Sequence, residues 1–221
     1  MTFELKRPAT CLVTSGETTV DTEPASPEFA RLVALVRSAV EAGHALVQLR
    51  EKLLRPRVLY ELTVSCARLT RGTKTRLLVN DRADIARAAG ADGVQLTSQS
   101  LEASIVRRAF GRDFLVGVSA HSLEDARDAR DAGADFALLG PVFDTPSKRA
   151  YGPPLGLEAF GAAARALVPF PLLAIGGITL DNSADALRAG ARGVAAIRLF
   201  EDAGRLSETV RALETLKADD E

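Results

Sequence analysis

The groups in this chain that can bind an anion or move a proton come in short polar runs, each placed directly after an apolar one. The first is Gln48-Leu49-Arg50-Glu51-Lys52, which follows Ala45-Leu46-Val47. Under strict strand alternation Gln48, Arg50 and Lys52 share one side. Arg presents a planar fork to phosphate or carboxylate, and Lys adds a compact charge beside it. The plainer alternative is that Arg50 and Lys52 are solvated charges paired with Glu51. Further runs are Asn80-Asp81-Arg82, Gln95 with Thr97 and Ser98, and Ser119-Ala120-His121-Ser122. They continue with Asp144-Thr145-Pro146-Ser147-Lys148, Gly176-Gly177-Ile178-Thr179 and Arg198.

Each run suggests a chemistry and has a structural alternative. Arg50, Lys52 and Lys148 can surround a diphosphate. Asp81 can hold Mg²⁺ through oxygen ligands that bridge to substrate phosphates; an Asp here can equally cap the following helix. His121, one of only two histidines, can move a proton near neutral pH, or it packs at a loop-to-helix step. Gly176-Gly177, just ahead of a helix, offers backbone N–H groups to a phosphate, or forms an ordinary turn. His44 reads as structural.

The elements that would position these runs follow from periodicity and breakers. Short apolar strands fall at Thr10–Thr14, Ala45–Leu49, Arg76–Val79, Gln95-Leu96, Leu115–Val118, Ala137–Leu139, Pro171–Ile175 and Ala195–Ile197. Helical spacing covers Glu28–Glu41, Arg57–Leu69, Ala83–Ala89, Leu101–Phe110, Ser122–Ala132, Gly156–Leu167, Leu180–Ala189 and Ala203–Leu216. A helix-ending joint recurs four times, as Ala42-Gly43-His44-Ala45, Ala89-Gly90-Ala91-Asp92, Ala132-Gly133-Ala134-Asp135 and Ala189-Gly190-Ala191-Arg192. In each, a Gly suited to the left-handed cap precedes a strand by two or three residues. Eight strands alternating with eight helices predict an α/β fold, a (β/α)8 TIM barrel in which residues 1–221 form a single domain. An open doubly wound sheet is the alternative, but Thr14-Ser15-Gly16-Glu17 lacks the glycine-rich fingerprint it would need. In the barrel every polar run stands at the carboxyl end of a strand, the end where such folds carry active sites. The opposite ends carry only Gly, Ala and scattered charge.

Composition narrows the function classes. With 28 basic and 29 acidic residues, nothing favours nucleic acid or an anionic membrane as partner. No apolar stretch in the sequence is long enough to span a membrane, and Glu4, Lys6 and Arg7 interrupt the start where a signal peptide would sit. Cys11 and Cys66 read as core thiols of a cytoplasmic protein rather than a disulfide framework.

Taken together, five segments resemble the thiamine phosphate synthase family, which includes the thiazole tautomerases. They are Gln48–Lys52, Val79-Asn80-Asp81-Arg82, Gly117-Val118-Ser119-Ala120-His121, Leu139–Phe143 with Thr145–Lys148, and Ala174-Ile175-Gly176-Gly177-Ile178. The resemblance implies a transferase joining hydroxymethylpyrimidine diphosphate to a thiazole phosphate, with release of pyrophosphate. It implies that Arg50, Lys52, Asn80, Ser119 and Lys148 hold the diphosphate, that Asp81 binds Mg²⁺ and that Gln48 faces the pyrimidine. Thr145, Ser147, Gly177 and Ile197 would contact the thiazole phosphate side, with Gly176 beside them. Three positions depart from the pattern. Ser100 stands where the family places a second metal carboxylate, Arg198 where a Ser is common, and Ser15 where an Asp is common. Because tautomerases often lose the same strand-four motif, an isomerase with His121 as acid–base is the second expectation. A non-catalytic barrel binding thiazole or thiamine phosphate is the third. The partners expected are small molecules, and barrels of this kind often pair as homo-oligomers.

Overall fold

The structure is a computed structural model and describes residues 5–146, 149 and 152–216. Among these residues the chain runs β1 (Ala9–Val13), α1 (Pro27–Ala42), β2 (Leu46–Leu49), α2 (Pro56–Thr70), β3 (Arg76–Asn80) and α3 (Ala83–Ala89). It continues through β4 (Gly93–Leu96), α4 (Ala103–Phe110), β5 (Leu115–Ala120), α5 (Leu123–Asp131), β6 (Phe136–Leu139) and α6 (Gly156–Ala166). The last elements are β7 (Leu172–Ile175), α7 (Leu180–Arg188), β8 (Gly193–Ala196) and α8 (Leu206–Thr215). The strands pair in parallel, in chain order, and β8 pairs back onto β1 through Thr10 opposite Val194. The sheet is therefore a closed (β/α)8 barrel, as the alternation predicts.

Two apolar clusters account for the packing. Inside the barrel lie Ala9, Cys11, Val13, Leu46, Leu78, Leu115, Phe136, Leu138, Leu173 and Ala195. Residues of opposite parity, such as Leu12, Val47, Leu77, Val94, Val116 and Ala137, join the helices' buried faces in an outer layer. Because side chains alternate along a strand, continuing the inward parity leads from Leu46 to Gln48, from Leu78 to Asn80 and, past Gly117, from Leu115 to Ser119. Gly117 makes room inside: a Cβ there would sit 2.3 Å from Gln95 Oε1 and 2.4 Å from the Phe136 ring. The barrel thus has an apolar floor with a polar layer above it.

The boundaries shift where burial overrides pattern. Strand β5 extends to Ala120 rather than Val118, which takes Ser119 into the ladder opposite Leu138. Helix α4 begins at Ala103, not Leu101, and Leu101 is 63% exposed. A 3₁₀ turn at Arg198–Phe200 follows β8, so α8 starts at Leu206 rather than Ala203.

The repeated joints need a correction. Their glycines do take the left-handed conformation, with φ of 84° at Gly43, 78° at Gly90, 86° at Gly133 and 103° at Gly190. The charge beside them, however, is not scattered. Asp92 Oδ2 accepts from the Leu77 N–H at 2.8 Å while Oδ1 receives Arg76 at 3.3 Å. Asp135 Oδ2 accepts from the Val116 N–H and from Arg107, both at 2.7 Å. Each aspartate satisfies a strand-edge donor that would otherwise go unpaired.

His44 is fully buried, with its ring edge-on to Phe200 at 4.6 Å. Neither ring nitrogen has a hydrogen-bond partner among the described residues. Burial lowers its pKa to about 4, because the charged form would lose its hydration. Cys11 and Cys66 are free and buried, and burial pushes both thiols up to about 12. Thiols so held have almost no thiolate at neutral pH and act as core residues. No helix of the described residues is long and apolar enough to cross a membrane.

Candidate active site

At the carboxyl ends of the strands, hydrogen bonds link the polar layer from strand to strand. Gln48 Nε2 donates to Asn80 Oδ1 at 2.9 Å, and Asn80 Nδ2 donates to Asp81 Oδ2 at 2.6 Å. Asp81 Oδ1 accepts from the Thr97 hydroxyl at 2.8 Å and from the Ser100 hydroxyl. Gln95 Nε2 donates to Ser119 Oγ at 3.1 Å, which joins β4 to β5. The His121 ring meets the Gly140 carbonyl at 2.6 Å, joining β5 to the segment after β6. Arg198, after β8, donates from Nη2 to Thr145 Oγ1 in the β6 loop at 3.0 Å.

Asp81 does not cap α3. The N-cap is Arg82, with no side-chain cap bond, and Arg82 instead pairs with Asp84. Asp81 is also the one non-glycine residue at positive φ (59°) among the described residues. That conformation is sparsely populated and must be held by surrounding contacts. Here the three side-chain donors hold it, so Ser100 acts as a direct partner of Asp81.

His121 is likewise not the helix cap. Ser122 caps α5 by accepting from the Asp125 N–H at 3.0 Å. Since a carbonyl only accepts, the contact with Gly140 places a proton on His121 Nδ1. The glycine pair after β7 is required by close packing. A Cβ at Gly176 would lie 2.5 Å from Pro141, and one at Gly177 would lie 2.6 Å from the Asp144 carbonyl oxygen. A capping box of Thr179 and Asn182 takes up the Asn182 and Thr179 N–H groups at the start of α7.

Around Arg50 the sequence reading is corrected. Glu51 pairs with neither Arg50 nor Lys52. It is 3% exposed and accepts from the hydroxyls of Thr14 at 2.5 Å and Thr18 at 2.6 Å. The strand ends at Leu49, so the alternation that carries Gln48 and Arg50 stops short of Lys52, which occupies an exposed turn. The half-buried Arg50 guanidinium makes no hydrogen bond or ion pair among the described residues. Ile197 lies half-buried directly after β8, and Thr145 is buried. Ser147 and Lys148 lie outside the described residues.

Comparison with known proteins identifies the family. The family profile described as thiamine monophosphate synthase covers residues 20–200. A putative thiamine-phosphate synthase of Geobacter sulfurreducens is 47% identical over 166 residues, covering 75% of this chain and 78% of the relative. The chain belongs to the thiamine monophosphate synthase family. A thiamine-phosphate synthase of a Roseiflexus species is 41% identical over 187 residues, which is 85% of this chain and 79% of that one. The solved thiamine phosphate pyrophosphorylase of Pyrococcus furiosus superposes with a TM-score of 0.79 at 29% identity, covering 94% of this chain and 96% of its own. Family and relatives place the chain among the transferases of thiamine biosynthesis, with the activity of a thiamine-phosphate synthase. These relatives carry synthase names and lend the tautomerase alternative no support.

Proposed function

We propose that the barrel mouth joins hydroxymethylpyrimidine diphosphate to a thiazole phosphate and releases pyrophosphate. The observation that carries this reading is the unpartnered, half-buried Arg50 guanidinium beside the linked layer of Gln48, Asn80 and Asp81. A cation with no partner among the described residues, at the end where barrels carry their sites, is available for a substrate anion.

The roles follow from the positions. Arg50, Lys52, Asn80 and Ser119 take the diphosphate, and by sequence position Lys148 belongs to the same set. As the C–O bond breaks, negative charge grows on the departing pyrophosphate. Groups already fixed around it stabilise that charge more than the bound substrate. Gln48, on the barrel axis below Arg50, faces the pyrimidine. The second substrate's phosphate lies toward Thr145, Ser147, Gly176, Gly177 and Ile197. Arg198, tethered to Thr145, supplies a guanidinium where the family commonly has a hydroxyl. His121, exposed and with Nδ1 held by the Gly140 carbonyl, is the acid–base candidate.

The donor set at Asp81 fits a single Mg²⁺. Such an ion is commonly bound by one or two carboxylates together with substrate phosphates and water. Among the described residues no group of three or more His, Cys, Asp or Glu side chains converges on a metal site. Asp81 is then the protein's anionic ligand, and the substrate's own oxygens are needed to complete the shell. Bound there, Mg²⁺ would neutralise diphosphate charge. The residues' own part is to orient: Asn80, Thr97 and Ser100 keep the Asp81 carboxylate in its one conformation.

The test is pyrophosphate release from purified protein mixed with both half-substrates and Mg²⁺. Release that stops on adding a chelator supports the reading. No release, with tautomer conversion that survives chelator but not His121→Ala, would replace it with an isomerase.

A further inference from the structure

A buried carboxylate below the rim has a connection that the proposed reaction leaves unused. Glu51 follows the end of β2 by two residues and is 3% exposed. Four donors reach it, all from residues 14–18 of the loop after β1. Oε1 accepts from Thr14 Oγ1 at 2.5 Å and from the Gly16 N–H at 3.3 Å. Oε2 accepts from Thr18 Oγ1 at 2.6 Å and from the Thr18 N–H at 3.4 Å. Glu51 forms no ion pair among the described residues. Removing a carboxylate from water is costly unless several donors replace its hydration. A role confined to filling space would be met better by an apolar side chain.

What the loop touches explains the choice. Thr14 Oγ1, while donating to Glu51, accepts from the Arg50 N–H at 2.8 Å. Gly16 turns with φ of +79°, and a Cβ there would lie 3.2 Å from Arg50 Nη1 and 3.1 Å from the Arg50 carbonyl oxygen. Glu51 thus fixes the loop on one side, and the loop borders both the backbone and the guanidinium of Arg50 on the other. We infer that Glu51, acting through Thr14, Gly16 and Thr18, is the positioning residue that aims the Arg50 guanidinium at the diphosphate. The inference rests on the function proposed above.

Thr18 allows a test that spares both Arg50 and the buried carboxylate. Thr18→Val keeps the shape but removes one hydroxyl donor, whereas Thr18→Ser keeps the donor. Pyrophosphate binding would be measured by calorimetry with Mg²⁺ present, along with KM for each substrate. A lost hydrogen bond to a charged group should weaken pyrophosphate binding about tenfold in Thr18→Val. KM for the pyrimidine diphosphate should rise alongside, while KM for the thiazole phosphate and the affinity of Thr18→Ser stay near wild type. A Thr18→Val protein with lowered thermal stability but unchanged pyrophosphate affinity would overturn the inference, as would an equal rise in both KM values. A wild-type protein that neither binds nor releases pyrophosphate would overturn the proposed function itself, and this inference with it.

Discussion

Asp135 and Asp81 are both aspartates flanking barrel strands, one at each end of the barrel, and their surroundings differ in kind. Asp135 accepts from a backbone N–H and from Arg107, whose guanidinium also reaches the carbonyls of Gly133 and Phe114. Its charge is neutralised by groups with no other task. Asp81 stands in a left-handed conformation and is held by an amide and two hydroxyls, with no cation beside it among the described residues. At the same end of the barrel, the Arg50 guanidinium has no partner among the described residues. Asp135 has its charge met by a cation of the protein, whereas Asp81 and Arg50 are each left without a counter-ion among the described residues. Ionisable groups held in this way mark a binding site more reliably than any residue type alone.

Substitutions can break this contrast. Arg50→Ala should lower kcat/KM for pyrophosphate release by about 10² to 10³, the scale for removing one fixed charge-stabilising donor. Circular dichroism should show the fold retained. If the two ends are equivalent, Arg50→Ala will instead cost stability and leave turnover intact.

The next effect concerns His44 and pH. Its folded pKa of about 4 lies below the ordinary 6.5, so the unfolded chain takes up a proton first as pH falls. Stability from this group is complete above about pH 6.5 and is lost as pH drops toward 4, by about 3 kcal/mol in all. Urea midpoints measured across that window should fall more steeply for wild type than for His44→Leu. Equal slopes would show that His44 is not buried as described.

Asp135→Ala should cost about 2 kcal/mol of stability, since it leaves the Val116 N–H without its acceptor. Turnover per folded molecule should match wild type, which chemical denaturation and steady-state kinetics would check together. The smallest effect sharpens the contrast from within the active end. Thr179→Ala should cost about 1 kcal/mol through the lost capping box of α7. KM should stay unchanged, showing that a polar residue at this end can still be purely structural.

Much of the fold was legible because two periodicities and four glycine joints repeat. The barrel order follows from them, and strand parity already separates Leu46 and Gln48 from Val47 and Leu49. The convergence of Gln48, Asn80, Asp81 and Ser119 was legible for the same reason. Pairings that depend on loop shape were not. Glu51 looked like a partner for its charged neighbours because adjacency in sequence suggests it. Its true donors, Thr14 and Thr18, are more than thirty residues away in the chain and reach it only when β1 and β2 lie side by side. The residue type at Ser100 shows that a carboxylate is absent there, but the turn that points its hydroxyl at Asp81 is not visible in the sequence. Asp92 and Asp135 were passed over because nothing in Ala-Gly-Ala-Asp shows that a neighbouring strand presents an N–H to the side chain.

The central claim, that the carboxyl-terminal mouth is the anion site, is tested most directly by a crystal structure with pyrophosphate and Mg²⁺. The account predicts the anion between Arg50, Asn80 and Ser119, with the metal against Asp81. Pyrophosphate bound anywhere else, or a metal that leaves Asp81 bonded only to Asn80, Thr97 and Ser100, would contradict it.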